Sequence, residues 1–193
     1  LLVIGLLLKR NILLACWRDR WLMAGCGVLM ALHWVTFFHA MQVSTVAVGM
    51  IALYTYPIIT VSLEPLWQGQ RPHHSDLACG AVVLVGVYLL VPEFSLKSST
   101  VLGLFWGGLS AAVFALRNVV QRHYLALYRG DTAMLHQAVV AGCVCLPFLQ
   151  HDPQSLSAPV WLQLGALALF CTAVPHSMFA GSLRALRAKS AGL

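Results

Sequence analysis

The chain has 193 residues, 60% of them hydrophobic and 9% charged, where ordinary globular domains carry about 25% charged residues. So apolar a surface would not stay dispersed in water. The formal charge of +6 falls in short groups between apolar runs rather than along one patch, which excludes nucleic acid as a partner and leaves a polytopic, all-α membrane protein.

In chain order, the first eight residues, LLVIGLLL, are too short to cross a bilayer, which takes about 20 apolar residues. Lys9 and Arg10 follow at once. A signal peptide carries its charges before its apolar core, so this segment reads as the second half of a span that begins earlier in a longer protein. Six complete spans are then predicted, over 21–40, 46–67, 77–91, 101–120, 133–149 and 160–183. The closing AKSAGL reads as the start of another.

Lysine and arginine concentrate in short cytoplasmic loops. Lys9, Arg10, Arg18, Arg20, Arg71, Arg117, Arg122, Arg129, Arg184, Arg187 and Lys189 all fall on one side if the six spans alternate, and only Lys97 falls on the other, with Glu93 and Asp152. Eleven against one supports both the number of spans and their direction. It places loops near 9–20, 68–76, 117–131 and 184–189 in the cytoplasm and the protein in a cell or inner membrane. Cys26, Cys79, Cys143, Cys145 and Cys171 lie inside apolar runs, where cysteine acts as a small hydrophobe. Neither a disulfide, a metal site nor a cofactor is indicated by their spacing.

A repeat is also legible. AMQVSTVAV at 40–48 aligns with ALRAKSAGL at 185–193, each at a junction between apolar segments. An odd number of spans separates the copies, so they lie in opposite orientations. Inverted repeats of this kind mark secondary transporters, whose solute site lies near midplane between the halves.

The run HWVTFFHAMQVSTVAVGMIALYTYPIITVSLEPLWQGQRP, followed by a short apolar span with Gly80 and Gly86, resembles helices three to five of an EamA-type member of the drug/metabolite transporter superfamily. LGLFWGGLSAAVFALRNVVQRHY, with Gly103 leading and Ala115 near its end, resembles the start of the second repeat of that family. The resemblance implies a ten-helix carrier of two inverted five-helix repeats with a central pathway. Residues 1–91 would then hold the end of helix two to helix five, and 101–193 helices six to eight with the start of helix nine. One departure stands at Gly69, Gln70 and Arg71. The family commonly has Gly-Glu-Arg there, which puts in doubt any coupling role for the missing acid.

Residues three, four or seven apart share a helix face, so Thr45, Gly49, Tyr56, Thr60 and Glu64 form one small and polar stripe. Such a stripe lines a pathway or packs on another helix. With the transporter reading, Tyr56 and Thr60 are expected to line it. Pro57 removes a backbone donor, which makes it a hinge or a plain bend. Glu64, the first charged residue after 43 uncharged ones from Trp21 to Leu63, stands before Pro65 near the cytoplasmic end. It is either an interfacial acid closing the helix or a gating or proton-coupling acid.

His33 and His176 lie near the middle of their spans, where an imidazole faces a pathway or bonds a neighbouring helix. Trp34 lines the pathway or packs, and Pro175 would bend the sixth span beside His176. His39, His73, His74, His123, His136 and His151 fall at span ends or in loops. Trp106, with Gly103, Gly107 and Ala111 on small-xxx-small spacing, reads as helix packing.

The function expected is a secondary carrier that moves small organic solutes, amino acids or related metabolites, outward by alternating access. Its partners are that solute, the lipid bilayer and, as an option, a second copy in a homodimer. An intramembrane enzyme is the alternative from another class; it needs catalytic groups clustered at depth, and only His33 and His176 qualify. A truncated carrier without function is the third reading. No phosphate-binding glycine loop is present, which disfavours an ATP-driven pump.

Overall fold

The computed structural model describes residues 14–69, 74–89, 99–148 and 157–190. Among these, all regular structure is helical. In order come α1 (Trp17–Val43), α2 (Val46–Leu53), α3 (Tyr56–Trp67), α4 (His74–Leu89), α5 (Ser99–Tyr124) and α6 (Gly130–Cys145). A 3-10 turn at Leu146–Phe148, α7 (Ala158–Ala166), a π-helical stretch at Leu167–Ala173 and α8 (Val174–Ser190) complete it.

Among the described residues, four segments are long and apolar enough to cross a membrane: Trp17–Val43, Val46–Trp67, Ser99–Tyr124 and Ala158–Ser182. At 1.5 Å rise per residue, α1 and α5 each reach about 40 Å, more than the roughly 30 Å of hydrocarbon they must pass. The remaining two expected spans coincide with α4 and α6, of 16 residues each.

Local chemistry sets the interruptions. Thr45 caps α2, its hydroxyl accepting from Val48 N at 3.2 Å. The second span is two helices joined at Tyr54 and Thr55. Pro57 has no N–H for the Leu53 carbonyl, and the chain restarts as α3 with Pro57 in its first turn. α3 ends at Trp67 and is followed, after its cap Gln68, by Gly69, whose φ of 69° is the left-handed conformation glycine adopts freely. Pro175 has the same effect on the sixth span, removing the donor for Cys171, and the π-helical stretch lies immediately before it. Prolines and π segments are the usual causes of helix kinks.

The described chain forms two compact units. One comprises the described residues before Leu29 and after Val119, the other the described residues within Leu29–Val119. In the first, Met23, Cys26, Leu125 and Ala133 form a buried cluster against Leu14, Leu22, Val120 and Tyr128. Gln137 donates to Gln121 Oε1 at 2.9 Å beside it and also contacts Met23 Sδ. Gly27 lets α1 approach α6, since a methyl group there would lie 2.6 Å from Val140 Cβ. Gly130 in turn seats α6 against the Ser177 and Gly181 backbone of α8.

In the second unit, small residues bring α5 against α2. A methyl group on Gly107 would lie 2.5 Å from Ala52 Cβ, and one on Gly103 would collide with Ser44. Ala111 is fully buried. The small-xxx-small stripe therefore is a packing surface, as expected. Gly80 of α4 meets Ile58 of α3 in the same way.

Three features of the sequence reading shift. Arg117 and Arg122 are helical, because α5 runs on to Tyr124 instead of stopping at 120. Arg184, Arg187 and Lys189 are likewise within α8 rather than in a loop. His74 and His123, just outside the expected spans 77–91 and 101–120, also belong to helices. Residues 1–8, Lys9, Arg10, Gln70, Arg71, His73, Glu93, Lys97, His151 and Asp152 lie outside the described residues.

Candidate functional site

The site begins with one face of α5. Gly103, Gly107, Ser110, Phe114 and Arg117 follow at steps of four, three, four and three, the spacing that keeps side chains in one stripe. Its first half is small and packs. Its second half is polar or aromatic and buried, with Ser110 and Arg117 at 0% exposure and Asn118 at 1%.

His33 of α1 meets that stripe. Its Nδ1 lies 2.8 Å from Ser110 Oγ, and Ser110 Oγ donates to the His33 carbonyl at 2.9 Å. Because the hydroxyl proton is committed to the carbonyl, Nδ1–H is the donor to Oγ. The ring is thereby fixed in one tautomer. Thr36 Oγ1 donates to the Leu32 and His33 carbonyls, at 2.7 and 3.1 Å. The imidazole stacks on Phe114 at 4.5 Å and more distantly on Phe37.

Phe114 gathers two further polar side chains. Tyr56, at the start of α3, presents its ring edge-on at 5.0 Å between centroids. The Arg117 guanidinium lies 5.8 Å from the ring centre, within cation–π range. Arg117 Nη1 also donates to Asn118 Oδ1 at 3.0 Å. Asn118 Nδ2 is buried with no hydrogen-bond partner among the described residues. An imidazole, a phenol and a guanidinium from three helices thus meet at one phenyl ring, with the Asn118 amide bonded to the guanidinium. The phenol, the guanidinium and the amide are hydrogen-bond donors, while the imidazole, whose Nδ1–H is given to Ser110, presents Nε2 as an acceptor, a mixed set suited to a polar group.

Beside this cluster is a cavity of about 530 Å³, lined by Ala52 of α2, by Thr55 and by Ile58, Ile59, Ser62, Leu63 and Leu66 of α3, and by Leu104 and Gly108 of α5. Thr55 Oγ1 is committed to the Ala52 carbonyl at 2.7 Å, so the wall is aliphatic apart from Ser62. Tyr56, Thr60 and Glu64 occupy a different face of α3 and are not among its lining residues.

The structure brings His33 and Tyr56 together at Phe114. Trp34 follows His33 on α1 and is half-buried. Thr60 donates to the Tyr56 carbonyl at 2.8 Å, and Glu64 is half-buried in the last turns of α3. His176 and Pro175 belong to the other unit, where His176 Nδ1 donates to the Thr172 carbonyl at 3.0 Å. Ser110, Phe114, Arg117 and Asn118 were not singled out by sequence reasoning. The signal was present in the α5 spacing, which carries a polar stripe directly after the glycine stripe. Among the described residues, no group of three or more His, Cys, Asp or Glu is placed to hold a metal ion.

Apolar helices of spanning length, with polar side chains turned inward, define a multi-pass membrane protein. The EamA-like transporter family model matches residues 1–91, and over that stretch the chain is similar to this family of membrane transporters. No curated protein matches the chain significantly, and no solved structure does.

Proposed function

We propose that the protein is a secondary carrier of small organic solutes, amino acids or related metabolites, which it exports by alternating access. The observation that supports this reading is the cluster of polar side chains around Phe114, because polar groups at membrane depth are costly and are kept mainly where they serve a solute path. The family match over residues 1–91 supports the transport class. In this reading His33, Trp34, Tyr56, Thr60 and His176 border the path, Pro57 and Pro175 act as hinges, and Glu64 marks the cytoplasmic end of its helix.

The wider architecture belongs to the same proposal. Residues 1–91 and 101–193 contribute to two inverted five-helix repeats of a ten-helix bundle in the cell or inner membrane, with the arginine-rich ends cytoplasmic and a homodimer as one assembly. The test is solute flux from proteoliposomes made with the full-length protein and loaded with a labelled metabolite pool. Flux that falls at least tenfold in His33→Ala supports the reading. Failure of every member of the pool to move overturns it.

A further inference from the structure

We propose that the start of α1 and the end of α5 form a binding site for an acidic phospholipid, with arginines holding the head-group phosphate and the outer side of α1 receiving an acyl chain. The inference is independent of the carrier reading.

The two helix ends are held together within one compact unit. Arg18 lies 5.9 Å from the centre of the Tyr124 ring, and Tyr128, on the turn after α5, accepts from Ala15 N and donates to Asp19. Residues 14–24 and 120–131 carry four arginines, Arg18, Arg20, Arg122 and Arg129, against two acids. Both acids are engaged, Asp19 with Tyr128 and Asp131 with Arg129 at 3.3 Å. The charge left at this end is positive, and Arg18 and Arg20 are exposed.

Arg18 and Arg20 also stand within the first four residues of α1, where the helix dipole disfavours cations. An anion offsets both the arginines and the dipole. Arginines that only fixed the sidedness of the protein would serve equally well in the loop before the helix.

The surface beside them favours a lipid over a soluble anion. Trp17 and Trp21 are 66% and 63% exposed and meet edge to face at 5.6 Å, one turn apart on the same side of α1. Exposed tryptophans next to arginines are the composition of a membrane interface. At 3.6 residues per turn, Arg18 and Arg20 fall about 80° to either side of the tryptophan pair. The same side continues with Gly25 and Val28, both exposed, and a methyl group built on Gly25 meets nothing within 4 Å. The stripe thus lacks a side chain between Trp21 and Val28, which leaves an open notch for an acyl chain to enter. Leu127, 87% exposed on the turn after α5, adds an apolar contact at the same end.

The experiment uses the full-length protein in phosphatidylcholine vesicles with increasing fractions of phosphatidylglycerol, the acyl chains of one lipid at a time being brominated so that they quench tryptophan. The quenching that Trp17→Phe with Trp21→Phe removes reports this site. Brominated phosphatidylglycerol should reach half-maximal quenching at a mole fraction at least about fivefold below that of brominated phosphatidylcholine. Arg18→Gln and Arg20→Gln should each raise that fraction about fivefold, the equivalent of about 1 kcal/mol per arginine. Arg18→Lys and Arg20→Lys keep the charge and should keep the preference, which separates charge from the packing of Arg18 on Tyr124.

Equal half-maximal fractions for the two lipids overturn the site. So does a preference retained in a folded protein carrying both Arg18→Gln and Arg20→Gln. A preference that inorganic phosphate removes, and sodium chloride of the same ionic strength does not, assigns the arginines to a soluble anion and also overturns it. If Arg18→Gln fails to fold, Arg20→Gln decides alone: a preference it leaves unchanged overturns the site.

Discussion

His33 and Ser110 hold each other by a reciprocal pair: the imidazole Nδ1–H donates to Ser110 Oγ at 2.8 Å, and that hydroxyl donates back to the His33 carbonyl at 2.9 Å. The pair joins α1 to α5 where both are buried. Ser110→Ala removes the hydroxyl and leaves Nδ1–H the longer contact to the Ser110 carbonyl at 3.3 Å, so it should cost about 1 kcal/mol, the modest worth of an interhelical bond in a membrane. A double-mutant cycle with His33→Ala, read by thermal unfolding in detergent, should show the second change costing less in the presence of the first. Strict additivity would mean that the pair carries no joint energy.

Gly107 and Gly108 are neighbours with opposite surroundings. A methyl group on Gly107 falls 2.5 Å from Ala52 Cβ, whereas one on Gly108 meets nothing. Gly107→Ala should therefore destabilise by about 1–3 kcal/mol, as overpacking does, and Gly108→Ala should be neutral. Equal melting temperatures for the two variants would contradict the packing of α5 on α2.

Much of this fold was legible because the bilayer imposes a simple rule, about 20 apolar residues per crossing. That rule locates helices but not their ends, so charge counting placed Arg117 at a boundary when α5 continues past it to Tyr124. Burial of a guanidinium is a tertiary fact: α1 and α3 supply His33 and Tyr56, which share Phe114 with it. Phe114 itself looks like any apolar residue in sequence. Pro57 did announce the interruption beside it, because a missing N–H acts locally. Pro175 falls in the first turn of α8, which follows the π stretch, while the π register of Leu167–Ala173 has no residue pattern of its own.

Glu64 offers a sharper contrast than its position in the sequence suggested. It is half-buried near the end of α3 and followed by Pro65, and its carbonyl accepts from Gln68 N at 3.2 Å as the helix closes. In the proposed reading as a helix-end acid it should tolerate loss of charge. Glu64→Gln is expected to keep flux within about twofold across pH 6–8, the small effect typical of surface changes. A loss of pH dependence in that variant would make Glu64 the coupling group instead.

Tyr128, on the turn between α5 and α6, ties two elements of its unit together. Its hydroxyl accepts from Ala15 N at 2.9 Å and donates to Asp19 Oδ2. Burial first, then the hydrogen bond to the Asp19 carboxylate, pushes the hydroxyl above the ordinary tyrosine range. A pKa raised by folding means that the neutral hydroxyl is the form the fold favours. Its contribution is complete below about pH 10, the unfolded value, and is lost as pH rises through the higher folded value. Tyr128→Phe should therefore lower the melting temperature at pH 8, and the gap to the unaltered protein should close above pH 10. Asp19→Asn keeps an acceptor but removes the charge, so the phenol should titrate at lower pH than in the unaltered protein, read by phenolate absorbance against Tyr128→Phe. A gap that persists undiminished above pH 10 would show that Tyr128 acts through packing and not through its proton.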